Sequence, residues 1–283
     1  MSPIEIEIDQ GLLFLVVDHV GNNIHATVNA TDIPLELNRF LFPQFRIRGK
    51  SSAQAELFGT LEQLQGNIQV HLNDFRVQEE ALKKFSHLQG DLEVILGEKT
   101  SKIDANLMGL GDKPIIIHAE LPATFSAFPT ALNVDRDGDI SAHFSAEGEI
   151  AHILQLMITD TTSITGRAIF DLGLAGSINS PNLQGTIEII NGSHESLETG
   201  AVFKDMHAVF RGNGKQLLLE SLTALDPEIG SVSAKGYINL EVENHFPFDI
   251  EWNINNVNMI HLDYADARAS GNLHHKGNSE SSL

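Results

Sequence analysis

The residues best suited to chemistry in this chain are its 13 histidines and 38 carboxylates. Such groups bind divalent metals or move protons, but only where their spacing makes them converge. His19, His25, His71, His118, His143, His207, His261 and the pair His274-His275 form no H-x-x-x-H or H-E-x-x-H pattern. His71 and His118 fall on the polar side of alternating stretches, as solvated residues do. Asn133-Val-Asp135-Arg-Asp137-Gly138-Asp139 resembles the front of a calcium loop. Its twelfth position is Phe144, where a bidentate glutamate is required, so an acidic turn is the simpler reading. Cysteine is absent, which excludes thiol nucleophiles, zinc–thiolate sites and disulfides. No phosphate-binding loop, no G-x-S-x-G and no paired dinucleotide glycines occur. No catalytic residue, metal ligand or cofactor is expected.

Charge and composition narrow the partners. The balance of 18 basic and 38 acidic residues leaves a net charge of −20, which argues against nucleic acid and against anionic headgroup surfaces. It leaves the apolar part of a lipid open. Aromatic usage is 15 Phe, 2 Tyr and 1 Trp. Phenylalanine has no polar handle, so this surplus points to water-excluding surface rather than to sugar or base stacking. The longest apolar run, Leu12 to Val17, is far short of the roughly 20 residues of a membrane-spanning helix. The N-terminus has no basic region followed by an apolar stretch, so no signal peptide is expected.

The elements that must carry any function are strands. In Ser231–Glu243 the even positions are Val232, Ala234, Gly236, Ile238, Leu240 and Val242, and the odd positions are largely polar. That pattern predicts one long strand with one dry face. Gly166–Ile178 repeats it with Ala168, Phe170, Leu172 and Leu174. Shorter alternations include Ile187 and Ile189, and Phe246, Phe248, Ile250, Trp252 and Ile254. Asn191-Gly192 and Asn213-Gly214 read as hairpin turns. Helical pattern is scarce: Asp32–Phe42 with Asp32 as N-cap, Glu149–Ile158, and an ambiguous Gln78–Ser86. The expectation is all-β, a long, curled, mostly antiparallel sheet with an apolar concave face and minor short helices.

An internal repeat is present. Ile47-Arg48-Gly49 aligns with Ile164-Thr165-Gly166, and Gly59-Thr60-Leu61 with Gly176-Ser177-Ile178, at an offset of 117. Leu64–Val70 aligns with Leu183–Ile189 at 119, with two extra residues in the turn before Pro181. A third copy starts at Ala269-Ser270-Gly271. This divides the chain into 1–163, with a degenerate first repeat, and 164–283, with a second repeat and a truncated third. A repeat of this length implies an elongated, modular sheet.

The stretch from Gly166 to Gly192, with its glycines at 166, 173, 176, 185 and 192 and Pro181 between alternating apolar residues, resembles the repeated signature of the TamB family, the translocation and assembly modules of Gram-negative envelopes. Gly200, Phe203 to Met206, Leu217 to Leu219 and Lys235 to Leu240 fall where that signature has a glycine and apolar strands. The likeness is clear over 164–277 and weaker over 33–121. It implies kinship with AsmA-like, bridge-like lipid-transfer proteins: a U-shaped "β-taco" sheet, not an enzyme. It further implies anchoring in the inner membrane, passage through the periplasm, contact with phospholipid acyl chains, and an outer-membrane TamA-like partner in assembling outer-membrane proteins. The chain is then expected to be an internal or C-terminal-ward piece of a longer protein. The groove residues implied are Phe170, Leu172, Leu174, Ile187, Ile189, Val232, Ala234, Ile238, Leu240, Val242, Phe248 and Ile250. Two other readings compete: a structural or adhesin-like β-solenoid filled by its own side chains, and an enzyme with an acidic cleft.

Overall fold

The structure, a computed structural model, describes residues 3–40, 47–77, 87–109, 111, 113–149, 162–196 and 198–279. Among these, every regular element is a β-strand apart from two 3-10 turns, Leu35–Phe40 and Val242–Asn244. The chain forms two units, Met1–His143 and Phe144–Leu283.

The first unit contains β1 (Ile4–Ile8), β2 (Gly11–Val20), β3 (Asn23–Pro34), β4 (Ile47–Thr60), β5 (Gln63–Val77), β6 (Leu88–Leu96), β7 (Ser101–Met108), β8 (Ile115–Leu121), β9 (Ala123–Ala127) and β10 (Thr130–Val134). β1 to β8 pair antiparallel in chain order. Directly paired residues share a face, so Ala53, Val70, Leu92, Ala105 and Ile117 form one apolar row. After Pro122 the chain folds back. Phe125 of β9 meets Leu64 of β5, and the N–H groups of Ala127 and Phe128 both donate to the Leu61 carbonyl, at 2.8 and 3.0 Å. Strands β5 to β9 are thereby rolled until the last meets the first at one corner. Leu64, Leu96 and Ala123 are buried there, and Ser101 Oγ donates to the Ala123 carbonyl.

The unit boundary falls within β11 (Ile140–Glu149). The second unit continues with β12 (Thr162–Gly176), β13 (Pro181–Ser196), β14 (Val202–Gly214), β15 (Gln216–Leu225), β16 (Ser231–Asn239), β17 (Phe248–Leu262) and β18 (Ala265–Gly277). These seven form an uninterrupted antiparallel meander. It also curls at one end: the β13–β14 connection reaches β17, where His261 N–H donates to the Thr199 carbonyl at 2.8 Å. Beneath that contact Met206, Ala224 and Val232 are buried, with Ile164, Phe203, Leu222, Trp252 and Ile254 packed against them.

One device recurs in both units. Asp32, Asp74, Asn191, Asp205 and Asn256 adopt left-handed backbone with φ of 50–57°. Each sits in a break of ladder register: on β3, β5, β13, β14 and β17 respectively. Each also lies in the pattern apolar-x-Asp/Asn-(apolar or Gly), as in Leu72-Asn-Asp74-Phe75 and Ile254-Asn-Asn256-Val257. Asp and Asn are the non-glycine residues that tolerate this conformation best. The extra residue shifts the inward parity by one and bends the strand. On neighbouring strands Gly49 and Gly166, both at φ above +120°, lie against Asp74 and against Asn191-Gly192, so closely that a Cβ would collide with backbone. Gly49 and Gly166 are 117 residues apart, as are Asp74 and Asn191. The hairpins β4–β5 and β12–β13 therefore share one construction at a constant spacing of 117 on both strands, so the second has no extra residues in its turn, contrary to the offset of 119 expected from Leu64–Val70.

The expected all-β antiparallel fold is what forms. Several local expectations need correction. Asn191-Gly192 is a bulge within β13, not a hairpin turn, because αL backbone serves either purpose; Asn213-Gly214 does lead into the β14–β15 turn. Asp32 does not cap a helix: it bends β3, and a 3-10 turn follows at Leu35. The strand predicted over Ser231–Glu243 ends at Asn239, whose N–H donates to the Pro247 carbonyl. Glu241 then accepts the N–H groups of Asn244 and Phe246, which turns the chain. Of the other two helical stretches, Gln78–Ser86 lies outside the described residues, as does Glu149–Ile158 after Glu149, which ends β11.

Replacing Gly166 or Gly49 with Ala is expected to cost more than about 2 kcal/mol, from strained φ and backbone collision together. Gly173→Ala, where nothing lies within 4 Å of the new Cβ, is expected to be near neutral. Urea unfolding of the three variants checks the contrast.

Candidate functional site

The sheet register of the second unit fixes which side chains share its apolar face. One row runs Phe170–Ile187–Phe210–Leu219–Gly236–Ile250. The next runs Leu172–Gly185–Gly212–Leu217–Ile238–Phe248, and Leu174 pairs with Leu183 beyond it. On the other side come Ala168–Ile189–Ala208–Leu222–Ala234–Trp252 and then Ala224–Val232–Ile254. These rows contain no Asp, Glu, Lys or Arg. The charges alternate onto the opposite face, where Arg211 Nε donates to Glu220 at 2.6 Å and Lys276 pairs with Asp249 at 2.9 Å.

Ten of the twelve sequence-predicted groove residues lie on this face. Val232 and Ala234 are buried, in the packed, curled end. Phe170, Leu172, Leu174, Ile187, Ile189, Ile238, Phe248 and Ile250 are half-buried. Phe144 closes edge-on against Phe170, with centroids 5.9 Å apart. The remaining two are placed differently: Leu240 follows the end of β16, its N–H bonded to the Lys215 carbonyl, and Val242 begins the 3-10 turn. Phe210, Leu217, Leu219, Leu222 and Leu183 were missed. In β15 the inward positions switch from Leu217 and Leu219 to Leu222 and Ala224, across a register shift between Leu219 and Leu222. The three-residue gap between apolar positions is the signal that could have found them.

The curled end is held by a buried carboxylate. Asp226, in the β15–β16 connection, has a fully buried side chain. Its Oδ1 accepts the N–H groups of Glu228 and Gly230 at 2.9 and 2.7 Å, and its Oδ2 accepts that of Asn258 on β17 at 3.0 Å. Arg268 lies 3.6 Å away and also pairs with Glu228. Burial alone would raise the carboxyl's pKa. The three N–H donors and the guanidinium outweigh it and hold Asp226 below the usual range. In the same end His194 stacks on Phe203, at 6.3 Å and 11°, and desolvation pushes its pKa down.

Among the described residues no His, Asp and Glu side chains converge in threes as a metal site requires. His71 faces Asp91 at 2.9 Å and His25 faces Glu56 at 3.0 Å, as exposed cross-strand pairs. A hollow of about 680 Å³ in the first unit is walled by Gln54, Gln69, His71, Asp91, Glu93, Asp104 and His118, side chains of the polar rows. Ala53, Val70, Leu92, Ala105 and Ile116 line it as well.

The fold and face define a class: an all-β antiparallel sheet protein whose second unit has a charge-free apolar face. Residues 220–282, from the middle of β15 through β18, match the family model of the TamB C-terminal domain. That match supports the TamB-family assignment. No curated protein and no solved structure matches the chain.

Asp226→Ala orphans three N–H donors and a guanidinium and is expected to cost about 2–4 kcal/mol. Since the folded carboxyl titrates below its unfolded value of about 3.9, its contribution is full above that pH and is lost as pH falls through the folded pKa. Asp226→Asn should remove that part of the acid sensitivity, read from unfolding at a series of pH values. Desolvation of the half-buried His194 disfavours its charged form on folding, so its contribution to stability is full above about pH 6.5 and erodes as pH falls below it. Thermal melts of His194→Phe are expected to fall less between pH 7 and 5 than those of the parent chain.

Proposed function

We propose that this chain is part of a TamB-like envelope protein whose apolar sheet face carries phospholipid acyl chains between the inner and outer membranes. The observation that carries the reading is the face itself: six aligned strands, no charge in any row, and large side chains left half-exposed at the end away from the packed core. An aliphatic chain needs continuous apolar surface and no particular polar partner. Covering roughly twelve methylenes on one side yields on the order of 5 kcal/mol. The TamB match over β15 to β18 supports the same reading. On it the chain works in the periplasm, in a protein anchored in the inner membrane, beside an outer-membrane TamA-like partner in outer-membrane protein assembly, and it is not an enzyme.

The β-solenoid alternative is disfavoured by a specific feature. The six strand pairs from β12 to β18 are all antiparallel and join strands consecutive in the chain, whereas coils stacked at one hand pair in parallel. The acidic-cleft enzyme is not supported by any cluster of three His, Asp or Glu side chains among the described residues.

Mass spectrometry of an organic extract of the purified chain is the direct test, with phospholipid expected. A substitution sharpens it. Ile238→Arg places a cation midway across the half-exposed rows. In a sealed core an unpaired charge costs several kcal/mol and would unfold the unit. On an open face the Arg stem lies along the wall and its head reaches water. The expected outcome is a folded chain with depleted lipid, while Ser233→Arg, exposed on the opposite face, leaves lipid unchanged. Loss of soluble folding in Ile238→Arg alone would mark the face as packed core.

A further inference from the structure

Three segments of the second unit meet at the curled end: the β13–β14 connection with the start of β14, the β15–β16 connection, and β17 near its end. They enclose a hollow of about 60 Å³ whose lining includes Gly200, Val202, Asp226, Glu228, Asn258 and His261. Asn258 is only 8% exposed, and its side-chain Oδ1 is buried without a hydrogen-bond partner in the protein. A buried amide oxygen left without a donor is costly, and native proteins supply one from the chain or from water. The orientation of the amide is fixed by its other end. Its Nδ2 group hydrogen-bonds the Asp266 carboxylate and lies 3.4 Å from His261 Nδ1. Exchanging oxygen and nitrogen would set Oδ1 against that carboxylate.

The nearby donors of the chain are committed elsewhere. The N–H of Asn258 goes to Asp226 Oδ2, and those of Glu228 and Gly230 go to Oδ1. Gly200 N–H donates to the Ser196 carbonyl and His261 N–H to that of Thr199, both at 2.8 Å. Arg268 Nη1 donates to the Asn256 carbonyl at 3.0 Å, and its Nη2 to Glu228. Asp263, the other carboxylate of the β17–β18 turn, is exposed. The hollow also has room for one more bond at Asp226. A carboxylate has about four lone-pair sites. Three N–H groups fill three of them, and Arg268, at 3.6 Å, is beyond hydrogen-bond distance. Two acceptors lining one small hollow call for a small ligand with two donors. A cation would satisfy oxygens too, but the guanidinium beside Asp226 repels it.

We propose that this hollow is a water-binding site, in which one ordered water donates to Asn258 Oδ1 and to Asp226 and so ties β17 to the β15–β16 connection. A water takes about 30 Å³ in the liquid and needs two to four polar partners when buried, and the hollow meets both conditions. Gly200 belongs to the same arrangement: it lies so close to the His261 carbonyl that a Cβ there would collide with it, which keeps that wall of the hollow in place. The water completes the fastening of the curled end that Asp226 begins. It stands outside the apolar rows, so it is independent of what the apolar face carries.

The test begins with a high-resolution crystal structure of the purified chain. A single peak is expected within about 2.7–3.0 Å of both Asn258 Oδ1 and an Asp226 oxygen. No peak there, or a protein donor on Asn258 Oδ1, overturns the proposal. Crystals grown with rubidium in place of sodium separate water from a cation: an anomalous peak in the hollow overturns water in favour of a monovalent ion. In solution, magnetic relaxation dispersion of oxygen-17 counts long-lived internal waters. Asn258→Leu, shown by circular dichroism to be folded, is expected to lose one of them, whereas Asn272→Leu, exposed on β18, keeps the parent's count. An unchanged count in Asn258→Leu overturns Asn258 as the water's partner. Should that variant not fold, the density of the parent chain decides alone.

Discussion

Everything in this structure depends on parity. A strand sends successive side chains to opposite faces, and a ladder in register carries that choice to the next strand. A slip of one residue anywhere would move charges into the apolar rows and apolar residues into water. Keeping a face free of charge across six strands is therefore a constraint on every ladder at once. It is met by placing irregularities only where the sequence changes parity. Asn191 separates the inward Ile189 from the inward Gly192. Asp74 does the same for Leu72 and Phe75, Asp205 for Phe203 and Met206, and Asn256 for Ile254 and Val257. The bulge absorbs one residue and the face stays apolar on both sides of it.

The same bulges account for the curl. Each adds local twist and bends its strand, and they recur on one strand after another rather than singly. Once bent, the second unit brings the β13–β14 connection against β17 and the first brings β9 against β5, so each encloses apolar side chains at one end. Asp226 fastens the enclosure in the second unit by replacing three missing ladder partners with one carboxylate. The result is a graded face: Ala168, Ala208 and Val257 are fully buried, and Val232 and Ala234 nearly so, while Phe170, Ile238 and Phe248 remain partly open. Packing at one end supplies stability, which lets the other end remain partly open without unfolding the sheet.

The strands and their facing were legible because period-two alternation is a direct imprint of burial on one side. The repeat was legible because Gly49 and Gly166 mark positions where only a glycine fits. What alternation could not give were the ends and the bends. Val242 continues the even-numbered apolar series, yet turn bonding at Glu241 removes it from the strand; nothing in the series marks where hydrogen bonding stops. Asn191-Gly192 was misread because αL backbone serves a hairpin and a bulge alike. The residues to consult were the flanking ones, where an apolar spacing of three marks a parity switch inside a continuing strand. Asp226 was invisible for a different reason: its partners are backbone N–H groups 2, 4 and 32 residues away, and no side-chain pattern encodes them.

Function follows from what such a face can and cannot discriminate. A site that reads its ligand by hydrogen bonds must position donors and acceptors to fractions of an ångström and leave them unpaired when the wrong ligand arrives. The rows Phe170 to Ile250 and Leu172 to Phe248 contain no such groups, so on the proposed reading they hold any chain of methylenes about equally well, at any point along its length. That indifference is a defect in an enzyme and an advantage in a conduit, where a ligand must bind at each row and leave it for the next. Selectivity, where needed, has to come from polar positions outside those rows.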